Sequence, residues 1–176
     1  MMSLYTQKDL ILQAYRLLED ITPLSIDCGT LCGHACCKGD DHTGMWLFPG
    51  EEEMFRDDPD FQILSCEDNA GYPMVVCKGS CNREKRPLAC RIFPLFPLVR
   101  LTEQGGITIE AAADPRARMI CPLAGEKMTN LLFRRRVRQA AAVLMGDHQL
   151  REYLLETSNF LEELKFFQEK MTGIRG

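Results

Sequence analysis

Cys28-Gly29-Thr30-Leu31-Cys32-Gly33-His34-Ala35-Cys36-Cys37 crowds four thiols into one short run of chain. A second group follows at Cys77, Cys81 and Cys90, with Cys121 as a late addition. Thiolates are costly to keep ionised unless something positive holds them, so a set this dense is metal-bound, oxidised or reactive. The run also decides the fold. From Ser25 to Gly44 the chain offers little to pack, so an α+β protein with a small, cysteine-rich, metal-organised core is expected. Cys66 falls outside both groups and reads as a small buried side chain.

The rest of the sequence restricts where such thiols can sit. Met1 to Glu19 carries Lys8, Asp9 and Arg16 and does not read as a signal peptide, and no apolar stretch reaches membrane-spanning length. No Asn-x-Ser/Thr sequon occurs. A cytoplasmic location is expected, where thiols stay reduced and dense cysteines read as metal ligands or redox groups. Nine cysteines in 176 residues, an odd count, also fit a disulfide scaffold poorly. A net charge of −4 gives no bulk attraction to nucleic acid or to an anionic membrane. Neither is expected as a partner, and an unidentified protein partner stays open.

Elements can be read on either side of the cysteines. Thr6 and Asp9 suggest a helix start, with Leu10, Ile11, Ala14, Leu17 and Leu18 on one stripe and Pro23 beyond its end. Gly50 to Arg56 reads as a short helix, with Glu51, Glu52 and Glu53 in the first turn where the dipole favours acids. Phe61–Leu64 and Met74–Cys77 suit short strands. Leu98–Thr102 and Ile107–Ala112 suit a hairpin around Gly105-Gly106. Thr129 to Met145, and a second stretch bearing Leu150, Tyr153, Leu154, Leu161 and Leu164, read as an antiparallel helix pair broken at Gly146-Asp147. Residues 1–176 are read as one domain, with 28–121 the metal-binding part and 129–170 helical. Trp46, beside Leu47 and Phe48, reads as core.

Spacing leaves the metal open. Zinc takes four ligands, commonly as two Cys-x(2–4)-Cys pairs, and Cys28/Cys32 with Cys77/Cys81 satisfy that. An iron–sulfur cluster takes three close thiolates and one remote, and Cys28, Cys32 and Cys36 with a distant fourth satisfy that too. Cys36 and Cys37 are adjacent, so their side chains diverge and need not serve one ion. His34 is a weaker candidate ligand, and His42 and His148 read as surface residues. Around Cys90, the phrase Arg86-Pro87-Leu88-Ala89-Cys90-Arg91-Ile92-Phe93-Pro94 stiffens the backbone with two prolines and places two cations nearby. Arginines of this kind also commonly pair with surface carboxylates. Arg134, Arg135, Arg136 and Arg138 read as a solvated face balanced by the glutamates of the last helix.

These motifs together, Cys28…Cys32…Cys36-Cys37, Cys77…Cys81 and Arg86-Pro87-x-x-Cys90-Arg91-x-Phe93-Pro94, resemble the YkgJ-type cysteine-cluster family, described as zinc- or iron-chelating. The likeness spans about Cys28 to Cys121. It departs from the family in the wider gaps of the first run, in the closeness of Cys77 to Cys81, and in Asn82-Arg83-Glu84-Lys85, where a tyrosine is usual. The resemblance implies a ligand pool of Cys28, Cys32, Cys36, Cys37, Cys77, Cys81, Cys90 and Cys121. A distant likeness to flagellin lysine N-methylases implies an iron–sulfur cluster, of the 4Fe-4S kind. The expectation is therefore a cysteine-ligated metal-binding protein, iron–sulfur ahead of zinc. Its rivals are a redox or S-adenosylmethionine-type protein lysine methyltransferase, and a structural zinc module that mediates protein–protein contact. No phosphate loop, dinucleotide fingerprint, zincin motif or nucleophile elbow offers a self-contained catalytic set.

Overall fold

A computed structural model describes residues 5–24, 26–38, 44–65, 71–79, 82–124 and 129–173. Cys66, Cys81 and His42 lie outside the described residues.

Helix α1 spans Gln7–Leu17. Thr6 and Asp9 form a reciprocal capping box: the Asp9 amide donates to Thr6 Oγ1 at 3.2 Å, and the Thr6 amide donates to Asp9 Oδ2 at 2.9 Å. Leu10, Ile11 and Ala14 are buried on its inner face. A single turn, α2 (Gly29–Cys32), and a 3-10 turn at Ala35–Cys37 follow. Strands β1 (Met45–Trp46), β2 (Phe61–Leu64) and β3 (Met74–Cys77) form an antiparallel sheet in the order β1-β3-β2. Its register pairs Phe61 with Cys77 and Met45 with Val75. After the short α3 (Leu88–Ile92), β4 (Leu95–Leu101) and β5 (Ile107–Ala113) make a hairpin in which Leu95 faces Ala113 and Leu101 faces Ile107. Helices α4 (Leu131–Leu144) and α5 (His148–Thr172) complete the chain.

The architecture is α+β, as the sequence led one to expect. Its centre differs from the expectation. The main core is aliphatic and aromatic, drawn from α1, α3, β4, β5, α4 and α5, and no described cysteine belongs to it. A smaller cluster of Leu47, Phe55 and Val75 sits under the three-stranded sheet. The thiols stand beside these cores and do not form them, because the flanking elements carry enough apolar surface to pack without the cysteines. The last two helices differ as well. α4 packs chiefly on α1 and α5 on β4, while α4 and α5 touch little beyond their connecting turn. Trp46 is only half-buried, not core. Among the described residues, no helix is long and apolar enough to cross a membrane.

Candidate metal centre

The first cysteine run is held at its base and curled at its middle. Asn130, the N-cap of α4, donates its amide to Pro23 O at 2.9 Å and its side chain to Thr22 O at 3.0 Å, which fixes where the loop leaves α1. Asp27 Oδ1 accepts the Gly29 amide at 3.1 Å, and Thr30 Oγ1 donates to Asp27 O at 2.8 Å, so the turn starts with local side-chain bonds. Gly33 and His34 both adopt left-handed backbone, with φ of 59° and 57°. Glycine does this at no steric cost and histidine tolerates it. This pair breaks the run, so Cys28, Cys32 and Cys36 do not line one helical face. The His34 ring then folds over Gly29, where a Cβ would lie 2.4 Å from Nδ1.

Cys90 is presented differently. In α3, Leu88, Ala89 and Ile92 are buried in the main core, while Cys90 stays half-buried on the other side. Three cations fasten the segment before it. Arg83 Nη2 donates to Ile21 O at 2.7 Å, beyond the end of α1, and Lys85 meets Asp58 at 2.9 Å. Arg91 donates to Arg86 O at 2.7 Å and to Glu84 O at 2.6 Å, with its guanidinium 4.4 Å from the Tyr15 ring centroid. Arg91 therefore does not pair with a surface carboxylate; it grips backbone and is itself buried.

Below that contact lies a group the sequence did not flag. Glu51 is fully buried. It accepts from the Leu88 amide at 2.7 Å, the Phe48 amide at 3.0 Å and the Tyr15 hydroxyl. Burial pushes its carboxyl pKa up, against those three donors and Arg91. Tyr15 is pushed up as well, by burial first and by Glu51 next. Nothing in Glu51-Glu52-Glu53 marks the first glutamate as different from the others. Only its tertiary donors do.

The seven described cysteines line two adjoining cavities. The first, of about 190 Å³, takes Cys28, Cys32, Cys36, Cys90 and Cys121, among apolar walls that include Leu18, Leu31 and Phe93. The second, of about 270 Å³, takes Cys28, Cys36, Cys37, Cys77 and Cys90, beside Trp46, Phe61 and His34. Cys28, Cys36 and Cys90 belong to both. Cys77 arrives at the end of β3, and Cys121 follows the 3-10 turn Pro115–Met119, its amide bonded to Ala117 O at 2.8 Å. No disulfide links the described cysteines.

Electrostatics distinguish the thiols. Cys37 donates to Cys36, which lowers the Cys36 pKa; the same bond, with burial, raises Cys37. Cys28 is raised by burial, then by Asp27, Cys121 and Cys32, with Arg86 opposing. Cys121 is raised by burial, with the Leu123 amide opposing. Arg86 thus supplies positive charge to thiols on both sides. Among the described residues, neither cavity lining contains Asp or Glu.

The donor set is soft and suits zinc or iron–sulfur chemistry, with cations placed to offset thiolate charge. The thiols line walls, however, and have not closed on a point: among the described residues, no group of three or more His, Cys, Asp or Glu is gathered tightly enough to hold an ion. Of the remaining candidates, His148 is exposed beside Glu152, and Arg134 donates to Ala111 O at 2.8 Å, not to a glutamate of α5. No family model, curated protein or solved structure matches this chain.

Proposed function

We propose that this protein binds metal through its cysteines, at the two adjoining cavities beside its core. One observation carries the reading: four separate segments, each fixed by its own contacts, deliver seven thiols to one region whose lining, among the described residues, holds arginines and no carboxylate. A merely buried set would have placed them in the core.

An iron–sulfur cluster is the favoured occupant. Four sulfurs around one zinc stand about 2.3 Å from it, at the corners of a tetrahedron of roughly 6 Å³. The first cavity, of about 190 Å³, is roomier and offers five thiols. Zinc is the alternative that the same donor set accepts. The roominess also favours a second reading, an enzyme in which a small molecule rests against the apolar walls beside the centre.

Purification under anaerobic conditions, followed by assay of metal and acid-labile sulfide per chain and a visible spectrum, tests this. Iron with sulfide and a brown colour is the expected result. Zinc without sulfide would sink the cluster and leave the thiolate site standing. A chain with neither metal, which also fails to take either up on reconstitution, would overturn the proposal.

A further inference from the structure

Helix α4 carries Arg134, Arg135, Arg136 and Arg138 and no acidic residue between Leu131 and Leu144. The whole chain has a net charge of −4, so this helix is a basic segment on an acidic protein. The glutamates of α5 were expected to balance it, and three of them are engaged elsewhere. Glu152 meets His148 at 3.3 Å, Glu156 accepts from the Tyr72 hydroxyl at 2.8 Å, and Glu162 pairs with Arg100 at 2.6 Å. Among the described residues, no carboxylate forms an ion pair with Arg135, Arg136 or Arg138.

The fold makes no use of this face. Phe133, Val137, Ala140, Ala141 and Leu144 bury one side of α4 in the main core. On the opposite side stand Leu131, Arg135, Arg138 and Ala142, all exposed. Their spacing places them in one stripe about 16 Å long. Leu131 is 85% exposed and Leu132 beside it 53%. The arrangement works against the helix. Arginines three and four positions apart repel one another, and the first half of a helix favours acids. Two leucines left in water gain nothing either. Features that cost the fold and serve no contact within it are explained by a partner that meets them.

The mixture of groups restricts that partner. A nucleic acid would satisfy the arginines but leave the leucines unmatched, and the stripe has no aromatic ring for a base to stack on. An anionic bilayer requires a long apolar face, whereas here only one end of the stripe is apolar. The net negative charge of the chain opposes both at long range. An acidic amphipathic helix matches both chemistries. Steps of four, three and four residues are those of a seam between paired helices, and the small Ala142 allows close approach at its far end. We propose that the exposed face of α4 docks an acidic amphipathic helix of another protein. Carboxylates of that helix meet Arg135 and Arg138, and its apolar side chains cover Leu131 and Leu132. The surface is independent of the metal-binding reading, and either can fail without the other.

The probe is a labelled peptide of about 20 residues, long enough to be helical, with glutamates and one stripe of leucines on an alanine background. Fluorescence anisotropy follows its binding to the full-length chain. Saturation at one peptide per chain is expected, with affinity falling as salt rises. Arg135→Glu with Arg138→Glu is expected to weaken binding about tenfold or more. Leu131→Ser with Leu132→Ser weakens it as well, and so does scattering the peptide's leucines around its helix. Circular dichroism checks that each variant folds. If the charge-reversed variant does not, Arg135→Gln with Arg138→Gln takes its place. No binding by the parent chain overturns the inference. Equal binding by the folded arginine variant, or equal binding of the scattered peptide, does the same. Single-stranded RNA and phosphatidylserine vesicles are run alongside. Tighter binding of either through Arg135 and Arg138 would overturn the proposed partner class. So would a dimer, seen by sedimentation, that the arginine substitutions dissolve.

Discussion

Glu51 shows how much one side chain organises here. It satisfies the Leu88 amide at the start of α3, the Phe48 amide and the Tyr15 hydroxyl, and Tyr15 in turn lies under Arg91. Through these contacts the elements carrying Cys90 and the end of α1 share one buried junction. Glutamine keeps an oxygen for Tyr15 and Leu88 but turns its NH2 toward the Phe48 N–H, so Glu51→Gln costs about 1–3 kcal/mol from that unmet donor. The cost depends on pH. Burial raises the folded pKa of Glu51, so the stability tied to its neutral form is present below the ordinary carboxyl range and is lost as pH rises through the folded value. The deficit of the glutamine variant relative to the parent is therefore expected to shrink as pH rises, read by urea unfolding at a series of pH values. A deficit that grew with pH would show that the fold favours the carboxylate.

At the scale of elements, β4 shows why the hairpin reading began too late. The sequence pattern suggests a strand from Leu98 to Thr102, whereas β4 runs Leu95–Leu101 and includes Pro97. In the register observed, Pro97 and Val99 have the same parity, and the Val99 amide points away from β5 to donate to Ser158 Oγ of α5 at 2.8 Å. The missing N–H of Pro97 falls on the outer edge, where the ladder does not need it. α5 covers that edge, joined to it through Ser158 and through the Arg100–Glu162 ion pair. Ser158→Ala is expected to cost about 1–3 kcal/mol and to speed hydrogen exchange at Val99, since the buried amide loses its acceptor. Unchanged exchange at Val99 would mean another group takes the bond. Phe61–Leu64, Met74–Cys77 and the capping box were readable because local pattern decided them. α3 and β1 were not, since a five-residue turn anchored by Arg91 and a two-residue strand paired to Val75 exist through distant contacts.

For the whole molecule, the cysteines mark a region and the hydrophobic pattern builds the body. The candidate site was legible as a pool of residues. Its division was not, because spacing along the chain says nothing of which sulfur faces which cavity; the Gly33-His34 turn and the Arg91 grip decide that. With no described cysteine in the main core, removal of metal by chelation under reducing conditions is expected to leave the helical circular dichroism and cooperative urea unfolding in place. Loss of the helical signal on chelation would show that the metal, not the aliphatic core, holds the chain together.

The chain has a single tryptophan, and it lines the second cavity. Its ring lies 5.4 Å from that of Phe160 and 4.8 Å from the Arg116 guanidinium carbon, which ties it to α5 and to the turn that leads into Cys121. Fluorescence from this protein under selective indole excitation thus comes from one place. The emission reports whether that cavity is filled, how fast it fills and whether its walls move, with no dye and no engineered label. The candidate site thus has a native indole beside it.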